Sequence, residues 1–69
     1  MRIKSPVTGS VIEIRVALGD TVAEGDEVVI LESMKMEIPV VADFSGTVGE
    51  ILVEPKQRVQ EEEVLVVLR

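Results

Sequence analysis

The chain has 69 residues, 46% of them apolar, and carries 13 Asp and Glu against 7 Lys and Arg, for a net charge of −6. His and Cys are both absent, which excludes a thiol nucleophile, a Ser-His pair, a disulfide staple and a zinc site of the usual nitrogen and sulfur kind. The acidic balance argues against nucleic acid, whose binding draws affinity from clustered Lys and Arg.

One domain spanning residues 1–69 is expected, with a thin core near the lower limit for folding without staples. Fourteen Val, six Ile, a single aromatic in Phe44 and no sustained 3.6-residue period favour strands over helices. Met1-Arg2-Ile3-Lys4 runs straight into a proline turn with no apolar leader. The longest apolar runs, Val28 to Leu31 and Val64 to Leu68, are far too short to span a bilayer. A soluble cytoplasmic protein without membrane contact is the expectation.

In chain order, Ile3-Lys4 reads as a short edge strand and Ser5 to Gly9 as a turn. Val11 to Val16 follows as a half-buried strand, with Ile12, Ile14 and Val16 on one side and Glu13 and Arg15 on the other. Gly19-Asp20 and Glu24-Gly25-Asp26 bracket a short element carrying Val22, and Val28 to Leu31 reads as a more deeply buried strand. The order then repeats: Phe44 takes the core position of Val7, Val48 to Val53 is the long strand, and Val64 to Leu68 is the last.

That repetition is measurable. Shifting the chain by 37 positions lays Ser5–Glu32 over Ala42–Arg69 without a gap and gives nine identities in 28 pairs: Gly9/Gly46, Val11/Val48, Glu13/Glu50, Ile14/Ile51, Val16/Val53, Val22/Val59, Glu24/Glu61, Val29/Val66 and Leu31/Leu68. Two copies are too few for a solenoid, so a pair related by a pseudo-twofold axis is the better reading. The segment Ser33 to Val41 joins the halves near that axis, with the termini expected together at the other end of the molecule.

At the junction stands Glu32-Ser33-Met34-Lys35-Met36-Glu37. Strands ending at Glu32 and restarting at Glu37 can pair if Ser33 to Met36 form a tight hairpin centred on Met34 and Lys35. Such hairpins prefer Asn-Gly, because their central residues take positive φ. Met-Lys is a poor turn former, so these side chains are candidates for another task. Taken alone, a lysine at a tip is a solvated charge and two methionines are adaptable caps over the barrel end. The central place in a two-half repeat is what favours a function. Glu32 and Glu37 read as solvated strand ends rather than a catalytic pair, and Glu61-Glu62-Glu63 as a solvated turn.

The whole chain resembles a biotinyl domain, the carrier module of biotin-dependent carboxylases, in the family that also holds lipoyl domains. Glu32 to Glu37 is similar to its attachment motif, with Met-Lys-Met at the core. Ser5-Pro6-Val7-Thr8-Gly9-Ser10-Val11 and Ser45-Gly46-Thr47-Val48 are similar to the turn-and-strand segments of its two halves. The resemblance implies a flattened all-β barrel, a barrel-sandwich hybrid of two four-stranded antiparallel sheets with pseudo-twofold symmetry. It also implies biotin in amide linkage to Lys35, with Met34 and Met36 as flanking site residues.

A lysine amine in water titrates at about 10.4 and is mostly protonated at neutral pH, so acylation needs an activated donor. Hence a biotin protein ligase is implied as a partner. Biotin carboxylase and carboxyltransferase are implied as the enzymes that load and unload the carrier, for example in an acetyl-CoA or other acyl-CoA carboxylase. The chain itself is expected to be no enzyme, and a monomer in isolation.

Two alternatives stand beside this reading. One is lipoylation of the same lysine, against which Met34 counts because an Asp usually precedes a lipoyl lysine. The other is an unmodified small barrel acting as an interaction module. Several departures from the family pattern are visible. Lys56 and Glu62 stand where the first half has Gly19 and Gly25, so two turns lack the residue that takes positive φ cheaply. The spacing from Val16 to Val28 leaves no room for the protruding thumb of some bacterial carriers, and no Ala/Pro-rich linker precedes the domain. The chain is thus expected to be a free-standing small carrier or a domain of a larger carboxylase.

Overall fold

The β-branched composition is realised as eight strands and no helix in a computed structural model that describes residues 1–69. They are β1 (Arg2–Lys4), β2 (Gly9–Ile14), β3 (Thr21–Val22), β4 (Glu27–Ser33), β5 (Met36–Val41), β6 (Gly46–Ile51), β7 (Arg58–Val59) and β8 (Val64–Leu68). With no helix present, none is long and apolar enough to cross a membrane.

Two four-stranded antiparallel sheets form, in the orders β1-β8-β6-β3 and β5-β4-β2-β7. Under the 37-residue shift β2 maps to β6, β3 to β7 and β4 to β8, while Arg2–Lys4 maps to Pro39–Val41 within β5. The two sheet orders are therefore the same order, related by the pseudo-twofold inferred from the repeat. Each sheet takes strands from both halves, so the halves are interlocked rather than stacked side by side.

Between the sheets lies one cluster of 14 buried apolar residues, among which Val28, Val29, Leu31, Val48, Leu65 and Val66 are fully enclosed. At about 25 cal/mol per Å² of apolar surface removed from water, such side chains supply most of the stability that a domain this small can muster. Phe44 and Val7, equivalent in the repeat, both pack half-buried against this cluster.

One face assignment from the sequence needs correction. Val11 is buried and Ile12 is 42% exposed, the reverse of a simple alternation through Ile12, Ile14 and Val16. The cause is a β-bulge: Val11 pairs with Leu31 and Glu13 with Ile30, leaving Ile12 without a partner. An inserted residue shifts the facing of everything after it by one, so Ile14 and Val16 do turn toward the core. The second half repeats the device at Gly49, skipped between Val48↔Leu68 and Glu50↔Val67. The long strands also begin two residues earlier than the apolar pattern suggests, at Gly9 and Gly46.

The missing glycines are explained by four turns built alike. In each, the fourth residue's backbone N–H donates to the carbonyl of the first: Asp20 to Ala17 (3.1 Å), Asp26 to Ala23 (3.0 Å), Gln57 to Glu54 (3.2 Å) and Glu63 to Gln60 (3.0 Å). The side-chain oxygen of the same residue accepts from the first residue's N–H, at 2.9, 2.9, 3.1 and 2.9 Å. The third residue sits at positive φ: Gly19 at 88°, Gly25 at 93°, Lys56 at 75° and Glu62 at 74°.

Positive φ is needed there because the third residue's N–H reaches across to the other half. Gly19 donates to Val48 and Lys56 to Val11, at 2.9 and 2.7 Å; Gly25 donates to Ala42 and Glu62 to Ser5, at 2.8 and 2.7 Å. These are two symmetry-related pairs of hydrogen bonds. Glu61-Glu62-Glu63 is thus a structured turn as well as a solvated one.

The chain ends close the first sheet. The Met1 ammonium donates to the Leu68 carbonyl at 2.8 Å, and the Leu68 N–H donates to the Met1 carbonyl at 2.6 Å.

Candidate functional site

The tip is held by a ladder that runs the length of β4 and β5, with Glu27↔Val41, Val29↔Val40, Ile30↔Pro39, Leu31↔Ile38, Glu32↔Glu37 and Ser33↔Met36 as partners. Only Met34 and Lys35 lie beyond the last pair. Their φ angles are 53° and 66°, the two successive left-handed residues of a type I′ turn. For non-glycine residues that conformation costs roughly 1–2 kcal/mol each. The sequence reading of a tight hairpin on a poor turn dipeptide is therefore met in its geometry, and the strain is stored where the side chains are most exposed.

Met34 is 91% exposed and Met36 63%, and Lys35 is exposed between them. Neither methionine belongs to the core cluster, so the bland reading, in which they cap the barrel end, does not hold. Lys35 makes no ion pair; the single ion pair in the chain joins Arg15 Nη1 to Glu27 Oε1 at 3.1 Å on β2 and β4.

Two features under the tip were not legible beforehand. The Ser33 hydroxyl donates to the Thr8 carbonyl at 2.8 Å, and the Thr8 hydroxyl accepts from the Glu61 N–H at 3.2 Å. Together they tie the hairpin base to the Ser5–Gly9 segment and, through it, to the second half. Gly9 is required by space: a Cβ there would collide with the backbone carbonyl oxygen of Glu32. Its partner Gly46 has the Arg69 carbonyl oxygen 3.0 Å from where a Cβ would lie.

A shallow cleft of about 320 Å³ runs beside the tip, lined by Thr8, Gly9, Ser10, Glu32, Ser33, Met34, Lys35 and Arg58. Arg58 reaches it because β7 pairs with β2, Ser10 opposite Arg58. No sequence signal announces that neighbour, since its proximity depends on a strand pairing of only two residues. Neither terminus lines the cleft, in keeping with the termini lying away from the hairpin.

Chemically, the tip offers one primary amine on a rigid two-stranded support. No group of three or more His, Cys, Asp and Glu is arranged to hold a metal ion. Glu32 and Glu37 face each other across the ladder as exposed strand ends.

The profile of the family described as "Biotin-requiring enzyme" matches residues 1–68. The "Biotin/lipoyl attachment protein" of Bacillus subtilis is 44% identical over 68 residues, covering 99% of this chain and 93% of that protein. The "Biotin carboxyl carrier protein" of Streptococcus mutans is 44% identical over 55 residues, covering 80% of this chain and 42% of that one. Among solved structures, the urea carboxylase of Kluyveromyces lactis contains a region that superposes on the whole of this chain with a TM-score of 0.94 at 35% identity, a region amounting to 6% of the carboxylase.

Proposed function

The chain belongs to the family of biotin-requiring enzymes, and from that premise we propose that it is a biotin carboxyl carrier whose attachment residue is Lys35. The observation that carries the reading is the strained turn: two non-glycine residues at positive φ raise Lys35 clear of the barrel between two exposed methionines. The amine fits an amide-linked cofactor, being a single unpaired primary amine with open solvent around it.

When bound, biotin supplies the carboxyl-carrying chemistry. What the chain's own residues do is mechanical. The β4–β5 ladder and the Ser33–Thr8 hydrogen bond fix the base of the tip, so the arm swings from a firm point. Tethering raises the effective concentration of the group at each enzyme that the carrier visits. In this reading a biotin protein ligase acylates Lys35 from an activated donor, a biotin carboxylase loads the carrier, and a carboxyltransferase unloads it onto an acyl-CoA. Met34 and Met36 are the contacts by which those enzymes recognise the tip, since specificity between ligases acting on one fold must reside in a few differential neighbours of the target. The reading includes a cytoplasmic protein that is monomeric on its own.

The test is co-expression with a biotin ligase, followed by intact mass and avidin binding. The wild-type chain should gain one biotinyl group, and Lys35→Arg should lose all avidin binding without a change in melting temperature. Avidin binding that persists in that variant would move the site to Lys4 or Lys56 and overturn the assignment. A lipoyl group in place of biotin on the protein from its native host would overturn the cofactor.

A further inference from the structure

The two methionines raise a question beyond recognition, because thioethers are chemically reactive and these are open to solvent. The chain has no cysteine, so its methionines are its most readily oxidised side chains. There are three: Met1, Met34 and Met36. All are exposed, at 70%, 91% and 63%. Met1 is hydrogen-bonded through its backbone to Leu68, away from the cleft at the tip. The other two flank Lys35 directly.

We propose that Met34 and Met36 form a redox-sensitive gate on Lys35, their conversion to sulfoxides by hydroperoxides slowing acylation of the lysine by its ligase. The proposal rests on the reading of Lys35 as the acceptor.

The chemistry balances with a named oxidant. A thioether sulfur attacks the distal oxygen of a hydroperoxide; the S–O bond forms as the O–O bond breaks. The proton of the attacked oxygen ends on the departing one, which leaves as water or an alcohol. Sulfur gives up two electrons and the peroxide is reduced. Reversal uses a dithiol-dependent methionine sulfoxide reductase, with the oxygen released as water and the dithiol closing to a disulfide.

Oxidation here does not act through the fold. Buried methionine sulfoxides disrupt cores, but neither of these side chains belongs to the core cluster. The effect lies in recognition. Any enzyme that takes the Lys35 amine into its active site meets Met34, its turn partner, and Met36, the first residue of β5. A surface shaped for two flexible apolar thioethers would receive two strong, chiral S–O dipoles, and a polar group buried without a partner carries a desolvation penalty. A rate loss of roughly tenfold or more is expected, the ratio that corresponds to one such unpartnered group.

The experiment uses the purified unmodified chain, treated with dilute hydrogen peroxide until peptide mapping shows one added oxygen on each of Met34 and Met36. Far-ultraviolet circular dichroism and melting temperature should be unchanged, and the initial rate of ligase-dependent biotin uptake should fall at least tenfold. Incubation with both epimer-specific sulfoxide reductases and dithiothreitol should restore it. For the Met34→Leu/Met36→Leu variant, which retains Met1, the ratio of treated to untreated rate should stay near one. Equal uptake by treated and untreated wild-type chain would overturn the gate while leaving Lys35 as acceptor. Undiminished sensitivity in the leucine variant would assign the effect elsewhere and overturn it too. If the untreated chain takes up no biotin at all, the carrier reading fails, and the gate with it.

Discussion

Replacing Lys56 by glycine should stabilise the protein. Lys56 sits at φ 75° and Glu62 at φ 74°, so that their N–H groups donate across the pseudo-twofold to Val11 and Ser5 at 2.7 Å. An L-residue held there costs roughly 1–2 kcal/mol, whereas a glycine costs about 0.5–1 kcal/mol through the freedom it adds to the unfolded chain. The difference favours glycine by about 1 kcal/mol at each site. Both side chains are exposed, so little packing is lost. For a domain of this size 1 kcal/mol corresponds to roughly 4–8 °C in melting temperature, which calorimetry or circular dichroism resolves easily. The converse substitutions supply a check, because the Cβ position at Gly19 and at Gly25 meets nothing within 4 Å: Gly19→Lys and Gly25→Glu should lower the melting temperature by a similar amount through φ alone. If Lys56→Gly lowers the melting temperature, the turn is not left-handed in solution or the lysine stem contributes packing, and the reasoning fails.

Gly9→Ala should destabilise the domain by roughly 3 kcal/mol, since the added methyl meets backbone rather than a movable side chain; urea titration measures it, and a loss below about 1 kcal/mol would show that β2 can retreat from the tip. Met34→Asp combined with Met36→Ala should leave the melting temperature nearly unchanged while slowing biotin and carboxyl transfer and favouring lipoylation, as ligase competition assays can show; unfolding of that variant would return both residues to a capping role. Lys35→Arg should match the wild type in thermal stability even as avidin binding disappears, because the side chain is exposed and unpaired.

Much of this architecture is legible in the sequence because the chain states it twice. The 37-residue repeat shows which strands are equivalent and that a pseudo-twofold relates them, and the change from Gly19 and Gly25 to Lys56 and Glu62 marks two positive-φ residues that propensity alone would not place. The tip was legible because a poor turn dipeptide stood where a turn had to be. What stayed hidden depends on alignment between strands. The bulges at Ile12 and Gly49 disturb the two-residue alternation from which facing is read, and Arg58 approaches the tip only through a pairing two residues long. Gly9 looked like an ordinary turn glycine, yet its constraint comes from the Glu32 carbonyl, which no local pattern encodes.

The cross-half hydrogen bonds have a consequence for how the molecule is made. A ribosome releases Ser5–Glu32 well before Ala42–Arg69, yet the N–H groups of Gly19 and Gly25 find their acceptors only on Val48 and Ala42, and β3 finds its ladder only on β6. An emerging first half thus has an unfinished sheet and unsatisfied turns, and loop-closure entropy must be met before these distant pairings reward it. The nascent chain should remain unstructured until its last strand is free, then fold in one cooperative step on the millisecond-to-second scale of non-local β topologies. A chain cut short of β8 would leave Lys35 on a hairpin without its second sheet, so an enzyme that reads the folded tip should pass it over.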